Sequence, residues 1–243
     1  MLPKWLLCVN PVKSAVLALR LSRTKAPSLS ISVEGDPIQQ VDHHKHLGVI
    51  VSSTLSWTAH VDSIISAAAH RIGLLRRFRK RLPSLSIRHI YCRSVRPALE
   101  YACTAWSGLS ASDSARLERL QRRAASLISG IAPRSDTPHA IILARAGLEP
   151  LRARHDAELA VLAYKFIHQL LPDHLLDTFS HWLAKPARSR SLRNSSSIRL
   201  PRPHRTALKL SPLYLSFSLW NSLPASTKEC TSSRALRSSL LSA

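Results

Sequence analysis

Acidic residues are scarce in this chain. Its 243 residues include 14 Asp and Glu against 35 Lys and Arg, which gives a formal net charge of +21 and a pI near 11.2. Such an excess opposes compaction through self-repulsion. Because each neutralised phosphate releases a condensed counterion, a polyanionic partner explains the excess better than folding does. Arginine-rich codon usage in a GC-rich reading frame is the alternative, and we favour nucleic-acid contact over it.

Cysteines are few and dispersed. The four are Cys8, Cys92, Cys103 and Cys230. None forms a Cys-x-x-Cys pair, and no set of Cys and His has the spacing of a zinc finger or zinc knuckle. Scattered thiols of this kind are typical of a reducing compartment.

Long hydrophobic runs are also missing near the start of the chain. Residues 1–10 hold a short apolar run that is too short to span a bilayer and lacks a small-residue cleavage pattern. We therefore expect neither a transmembrane helix nor a signal peptide, and we expect a protein that is not secreted. A nuclear or cytoplasmic location is the further expectation, and its nuclear part rests on the basic residues 76–81. The overall hydrophobic fraction of 45% is nevertheless ordinary and predicts a folded core.

The first sixty residues have the pattern of strands and turns. Residues 28–33 alternate polar and apolar side chains, as a half-buried strand does, and the turn-forming residues 34–37 follow. Two further runs, residues 37–41 and 46–51, are expected to pair with that first strand. The pattern predicts a small antiparallel sheet.

The hydrophobic period changes to that of a helix at Thr58, which is a predicted N-cap. One apolar stripe then extends along the helix, which we expect to end before Pro83. The stripe consists of Val61, Ile64, Ile65, Ala68, Ile72 and Leu75.

Several more helices are predicted downstream. One begins after Ser84 and is kinked or ended by Pro97, with helical character resuming over residues 98–106. Another begins at a capping box formed by Ser110 and Asp113, and it ends at Gly130. Its apolar face holds Leu117, Leu120, Ala124, Leu127 and Ile128. Two more helices are expected near residues 138–146 and 151–171.

The composition changes again after residue 185. Residues 187–197 are rich in Arg and Ser and poor in apolar side chains, which predicts an exposed linker or arm. Residues 213–220 regain apolar content and are expected to pack back onto the helices. The predicted fold class is therefore mainly α, a helical bundle preceded by a small antiparallel β segment.

Five stretches, in order, resemble elements of LINE-type (non-LTR) retrotransposon reverse transcriptases. Each is weak alone, but their shared order over nearly the whole chain is specific. They are N-P-V-K-S at residues 10–14; K-H-L-G-V at 45–49 with L-S-W at 55–57 and His60; I-Y-C-R-S-V-R-P at 90–97 with L-E-Y at 99–101 and Trp106; L-E-R-L-Q-R-R-A at 117–124; and W-N-S-L-P at 220–224.

This resemblance implies a domain organisation. It assigns residues 1–57 to the end of the palm and a primer-grip-like β segment, and residues 58–130 to a thumb-like helical domain. Further helices at 131–184, an Arg/Ser/Pro-rich linker at 185–212 and a C-terminal segment at 213–243 would follow. The β segment would thus be a remnant of the palm.

The chain departs from the family at the catalytic centre. Reverse transcription requires neighbouring carboxylates that hold a pair of metal ions, and the family supplies them partly through an aromatic-x-Asp-Asp turn upstream of the first matching stretch. This sequence contains no Asp-Asp dipeptide. We therefore expect no catalytic residue, no bound metal and no cofactor in this chain, although the intact polymerase would need Mg²⁺. The fragment by itself is expected not to be an enzyme.

The densest positive charge lies at residues 76–81, where five of six residues are cations. Such a run is usually a solvated helix face, but five cations exceed what complementing a helix C-terminus requires, and we favour phosphate contact. The resemblance adds Lys45 and Gly48 from the primer-grip turn. The full set of predicted nucleic-acid-binding residues is Lys45, Gly48, Arg76, Arg77, Arg79, Lys80, Arg81, Arg88, Arg93, Arg96, Arg119, Arg122 and Arg123.

Other conspicuous residues have ordinary interpretations. The histidines of residues 42–46 suggest zinc, but only alternate positions such as His44 and His46 share a strand face, and a tight site recruits four ligands. Lys13 matches a family lysine, yet a solvated loop residue is the better interpretation. Burial in the core is favoured over base stacking for five aromatic residues. These are Trp57, Tyr91, Tyr101, Trp106 and Trp220.

The sequence therefore predicts a fragment that binds an RNA or DNA duplex, most readily an RNA–DNA hybrid, without reading its sequence. One alternative is a degenerate retroelement relic without function, which would aggregate through exposed strand edges. Another is a helical protein-interaction module. The oligomeric state is left open by the sequence.

Overall fold

The computed structural model describes residues 10–20, 28–33, 35–132, 136–180, 198, 200–203 and 206–242. The chain divides into two compact units, Met1–Ser63 and Ile64–Ala243. Among the described residues, the strands all lie in the first unit and the second unit is helical, so the predicted mainly α fold with a small β part is confirmed. The predicted Arg/Ser arm at residues 187–197 lies outside the described residues.

Three short strands form one sheet in the first unit. They are β1 (Ala15–Val16), β2 (Ile31–Val33) and β3 (Asp36–Gln40), in the order β1-β3-β2. The pairing of β2 with β3 is antiparallel, as predicted, around a turn at Gly35. The pairing of β1 with β3 is parallel, which the sequence pattern did not indicate. The strand β3 lies between β1 and β2 in the sheet, and it runs in the same direction as β1 and opposite to β2.

A separate hairpin joins β4 (His43–His46) to β5 (Val49–Ser52). Its two loop residues, Leu47 and Gly48, have φ values of 46° and 87°. Two-residue hairpin loops of this handedness match the twist of the flanking strands, so the turn closes the pair locally. The expectation that residues 46–51 pair with residues 28–33 is therefore wrong, because the hairpin partner is adjacent in sequence.

Helix α1 (Thr58–Phe78) crosses from the first unit into the second. Thr58 is the first residue of the helix, whereas the prediction made it the N-cap, which is the residue before the first. The helix ends before Pro83, as predicted. Its stripe is confirmed, with Val61, Ala68, Ile72 and Leu75 buried and the two isoleucines between them half-buried.

The next helical segment is interrupted. Helix α2 (Ser84–Ile90) continues through a π-helical turn (Tyr91–Val95) into α3 (Arg96–Glu100). Pro97 is the second residue of α3, so its missing N–H falls directly after the π-helical turn, where the spacing of the backbone hydrogen bonds changes. The expected helical character up to Trp106 is wrong, because Ala102 adopts a left-handed conformation (φ 51°) and turns follow α3.

Helix α4 (Ala111–Ser129) has the predicted ends. The Ser110 side chain accepts a hydrogen bond from the Asp113 N–H at 3.1 Å, and Gly130 closes the helix in the left-handed conformation with φ 79°. The predicted face of α4 is buried except for Leu127, which is half-buried. Helices α5 (His139–Ala146), α6 (Leu151–Ile167) and α7 (Asp173–Phe179) follow, so the predicted helix at residues 151–171 ends earlier.

The C-terminal part is helical and packs back as predicted. It comprises α8 (Thr206–Lys209), α9 (Pro212–Ser222), α10 (Ala225–Lys228) and α11 (Ser233–Ser242). Helices α9 and α11 pack against α6 around a core in which the rings of Phe166 and Phe217 meet with centroids 5.0 Å apart. Along the described residues, no helix is long and apolar enough to cross a bilayer.

Candidate nucleic-acid interface

The end of α1 presents a cationic surface, which we call the basic run: Arg76, Arg77, Arg79, Lys80 and Arg81. All five side chains are exposed. Arg76 and Arg77 lie in the last turn of the helix. The chain then leaves the helix through backbone hydrogen bonds to the Phe78 carbonyl, from Arg81 at 2.9 Å and from Leu82 at 3.0 Å. The run therefore extends from a helix end into a turn.

The charge of the basic run is not compensated by any carboxylate that the structure describes. Within the described part of the chain, none of its five side chains forms an ion pair, whereas seven other ion pairs are present there. Arg79 lies against α4, since its Nη2 atom is 3.0 Å from the position that a Cβ on Gly130 would occupy. The remaining charge faces solvent, and this arrangement suits a polyanionic ligand.

Six more arginines were predicted to extend this surface, and three of them are exposed. Arg93 lies on the π-helical turn, and Arg119 and Arg123 lie on α4. Their spacing of four residues places Arg119 and Arg123 on one side of α4. These three have the accessibility that a phosphate contact requires.

The other three arginines hold the fold together. The Nε and Nη2 atoms of Arg88 donate hydrogen bonds to the Gly147 carbonyl at the end of α5, at 3.2 and 2.9 Å. Arg122 donates from Nη2 to the Thr137 carbonyl at 3.0 Å. Arg96 pairs with Glu100 at 3.8 Å. All three are half-buried. The sequence prediction therefore placed half-buried arginines and exposed arginines in one group.

Lys45 and Gly48 lie in the β4–β5 hairpin of the first unit. Lys45 is exposed on β4 opposite Ile50, and Gly48 is the second loop residue. The first loop residue, Leu47, has 79% of its surface exposed. The hairpin thus presents an apolar tip beside a cation, which is the tight turn that the sequence predicted at this place.

The histidines of this hairpin do not assemble a metal site. His44 and His46 share a face of β4, as predicted, with ring centroids 6.4 Å apart. Among the described residues, no group of three or more His, Cys, Asp or Glu side chains is placed to hold a metal ion. His60 serves the fold instead, because its Nδ1 atom accepts a hydrogen bond from the Ile50 N–H at 3.4 Å. Burial lowers the pKa of His60, and the positive charge of Lys45 lowers it further.

Most of the predicted core aromatic residues are buried. Tyr91, Trp106 and Trp220 are buried, so these three are not stacking platforms, and Trp57 is half-buried. The prediction is wrong for Tyr101, which has 57% of its surface exposed. Its position after the end of α3 turns its ring outward, and its carbonyl accepts a hydrogen bond from Trp106 Nε1 at 2.9 Å.

Sequence reasoning missed the residues that join α3, α4 and α6. We call Glu100, Gln121, Arg154 and His155 the helix joint. Arg154, with 8% of its surface exposed, forms a two-pronged ion pair with Glu100, and its Nη2 atom lies 3.0 Å from Oε2. The hydrogen bond to Glu100 raises the pKa of Arg154. Its Nη1 atom also contacts Glu149 at 3.4 Å. Arg154 shows no sequence signal that separates it from the other arginines.

The amide of Gln121 holds the start of α6. It is fully buried; its Nε2 atom donates to the Glu149 carbonyl at 3.0 Å, and its Oε1 atom accepts from the Leu151 N–H at 3.1 Å. One turn earlier on α4, Glu118 accepts from the Arg152 N–H at 2.8 Å. Two of the residues in the L-E-R-L-Q stretch thus provide the N-terminal cap of another helix.

Comparison with known proteins gives two distant relatives. The "Probable RNA-directed DNA polymerase from transposon X-element" of Drosophila melanogaster is 26% identical over 130 residues, covering 52% of this chain and 14% of that polymerase. The "Probable RNA-directed DNA polymerase from transposon BS" of the same organism is 26% identical over 124 residues, covering 50% and 14%. No protein-family profile matches the chain, and no solved structure matches it.

These alignments relate about half of the chain to non-LTR transposon RNA-directed DNA polymerases. The recognised resemblance to such polymerases is therefore confirmed. The matched segment spans about a seventh of each relative.

Proposed function

We propose that this chain is the part of a non-LTR retrotransposon reverse transcriptase that follows the catalytic aspartates, and that it binds template–primer nucleic acid without reading sequence. The kinship with RNA-directed DNA polymerases supports a nucleic-acid partner. The order of the five matching stretches supports a place at the end of the palm and in the thumb. An RNA–DNA hybrid is the preferred ligand, because RNA-directed DNA synthesis produces that duplex. A nuclear or cytoplasmic location follows from such a partner.

The observation that carries this proposal is the exposed basic run, which forms no ion pair with the carboxylates that the structure describes. Surface cations commonly form ion pairs with carboxylates, and such pairs stabilise a protein only modestly. This chain forms them elsewhere, as between Arg237 and Glu158 at 2.7 Å. At the end of α1 five cations share six positions, and no carboxylate of the described residues pairs with them. A phosphate backbone supplies the missing anions. Contacts to phosphates fix position and carry no sequence information.

This chain is proposed to bind and not to polymerise. Its sequence lacks an Asp-Asp dipeptide, and its carboxylates are single and dispersed. Two-metal phosphoryl transfer requires carboxylates that hold ions about 3.5–4 Å apart. The Mg²⁺ of an intact polymerase would therefore be held by residues outside this sequence.

The test is a salt series of binding to a labelled RNA–DNA hybrid. The chain is compared with a variant in which Arg76, Arg77, Arg79, Lys80 and Arg81 are changed to Ala. Each lost phosphate contact lowers the slope of log K against log salt by roughly 0.7–0.9. We expect the variant to bind on the order of 100-fold or more weakly at about 0.1 M salt, with a flatter slope.

The matched control changes the four arginines of the run to lysine, which preserves the charge. This variant is expected to keep the salt slope of the unchanged chain. Equal binding by the chain and the alanine variant contradicts the proposal. Absence of binding together with aggregation supports the relic interpretation instead, and a folded chain that does not bind the hybrid leaves the protein-interaction module.

A further inference from the structure

The turn that follows the basic run carries a candidate acceptor for phosphorylation. Ser84 has Arg81 three positions before it and Arg79 five positions before it. Ser84 is the one serine or threonine in the sequence with arginine at both of these positions. Protein kinases with acidic substrate grooves recognise such charge patterns, because each guanidinium pairs with a carboxylate of the groove.

The structure makes this site accessible. Residues 79–83 lie between α1 and α2 in turns and extended backbone, and Pro83 has φ −60° and ψ 151°. Ser84 is exposed as the first residue of α2, and its neighbours Pro83 and Leu85 are also exposed. Docking in extended form requires two short turns to open. One is the turn after α1, which the hydrogen bonds from the Arg81 and Leu82 N–H groups to the Phe78 carbonyl close, and the other is the first turn of α2, which the hydrogen bond from Ile87 N–H to the Pro83 carbonyl (3.1 Å) closes.

We propose that Ser84 is a phosphorylation site for an arginine-directed Ser/Thr kinase and that its phosphate switches off the basic run. The Ser84 Oγ atom attacks the γ-phosphorus of ATP and passes its proton to a carboxylate of the kinase. A new P–O bond forms, the bond between the γ-phosphorus and the β–γ bridging oxygen breaks, and ADP leaves. The regulatory half of this inference rests on the proposed function, whereas the modification itself does not.

The effect follows from charge. A phosphoserine carries about −1.5 to −2 charges at neutral pH. Placed three residues from Arg81, it neutralises about two of the five cations of the basic run. Arg79 and Arg81 would then pair with the phosphate of their own chain, and a nucleic-acid phosphate would lose these partners.

The modification is tested on the full chain with a purified kinase domain that requires arginine at both positions, in the presence of Mg²⁺ and ATP. Peptide mass spectrometry locates the phosphate. We expect it on Ser84, absent in Ser84→Ala and retained in Ser86→Ala, since Ser86 is half-buried and has a proline three positions before it. A variant with Arg79→Lys and Arg81→Lys keeps the charge but loses the forked guanidinium contacts, so its phosphorylation should slow. Equal phosphate incorporation by Ser84→Ala and the unchanged chain overturns the site.

The regulatory half is tested by binding the phosphorylated and unmodified chains to the labelled hybrid. Phosphorylation is expected to lower the affinity about tenfold or more at about 0.1 M salt and to reduce the salt slope by roughly 1–1.8. Unchanged affinity of the fully phosphorylated chain overturns the switch. If the unmodified chain fails to bind, the proposed function and the switch both fail, while mass spectrometry still decides the modification site.

Discussion

The basic run and the helix joint contain similar side chains in opposite surroundings. The five cations of the run are exposed and lack carboxylate partners among the described residues. In the joint, the single arginine Arg154 is buried and held by Glu100 and Glu149. Exposed charges contribute little to folding, whereas a buried charge whose partner is removed becomes expensive.

Within the helical unit, the exposed cations are therefore available for binding, whereas the buried arginine contributes to stability. A cation that faces solvent costs little when removed and is available to a ligand. A cation that closes a buried network is not available to a ligand, although its chemistry is the same. Arg88, Arg96 and Arg122 fall between the two, because they are half-buried and make specific contacts within the fold.

Removing the buried arginine should give the largest change in stability. Arg154→Met leaves Glu100 with only its longer contact to Arg96 at 3.8 Å, and we expect a loss of about 3 kcal/mol in the free energy of unfolding. Urea unfolding measures this. The double variant with Glu100→Gln should lose less, since the carboxylate that Arg154 holds most closely is then neutral. The alanine variant of the basic run should lie within about 0.5 kcal/mol of the unchanged chain, and a loss comparable to that of Arg154→Met would remove the distinction.

The buried amide of the joint should have the next largest effect. Gln121→Leu removes both hydrogen bonds to the start of α6 and leaves the Leu151 N–H and the Glu149 carbonyl without these partners. We expect a loss of about 2 kcal/mol in urea unfolding. Gln121→Glu keeps the acceptor but buries a carboxylate against the Glu149 carbonyl, so it should lose at least as much stability as Gln121→Leu. An unchanged midpoint for Gln121→Leu would show that α6 does not depend on this cap.

The joint should also weaken in mild acid. Burial lowers the pKa of His155, whose Nε2 atom lies 3.1 Å from the Leu99 carbonyl and whose ring packs edge-on against Trp106. Two charges of the joint face it with opposite effects, Glu100 raising its pKa and Arg154 lowering it.

Because the pKa of His155 in the folded chain is below its ordinary value of 6.5, the unfolded chain takes up this proton first. The contribution of His155 to stability is therefore complete above pH 6.5. It is lost as the pH falls from 6.5 towards the pKa of His155 in the folded chain. Unfolding free energies measured from pH 7.5 to 5.5 should decrease, and less so in His155→Gln. His60 has a lowered pKa as well and remains in that variant, so part of the slope should persist. Identical slopes would exclude His155 as a contributor.

Two adjacent arginines on α4 give the smallest and most selective test. Arg123→Ala should lower the salt slope of hybrid binding by roughly 0.7–0.9 and leave stability unchanged. Arg122→Ala should instead cost about 1 kcal/mol of stability through its bond to Thr137, with the slope unchanged. Interchanged results would mean that exposure does not identify the arginines that bind.

Local signals predicted the helices well and the strand partners less well. The capping box at Ser110, the left-handed Gly130 and the stripe on α1 are properties of a few neighbouring residues, and the structure has each of them. The parallel pairing of β1 with β3 and the left-handed Ala102 depend on where the rest of the chain lies. A periodic pattern identifies the buried face of an element and leaves its partner open.

The candidate site divides in the same way. The density of cations at residues 76–81 is visible in the sequence, and the structure shows these side chains to be exposed. The same reasoning also selected Arg88, Arg96 and Arg122, because charge alone does not show what a side chain contacts. It passed over Arg154 and Gln121. The Glu100 partner of Arg154 lies 54 residues away in sequence, and the two partners of Gln121 lie 28 and 30 residues away.

The sequence by itself determined the cationic character of the chain, its mainly helical fold and its likeness to transposon polymerases. These depend on composition, on period and on the order of short motifs, all of which are local or additive. The tertiary structure decided which arginines face solvent and which close the contacts between α3, α4, α5 and α6. Burial makes this distinction. A guanidinium is well solvated in water, and it is stable in the interior only where carboxylates and carbonyls surround it.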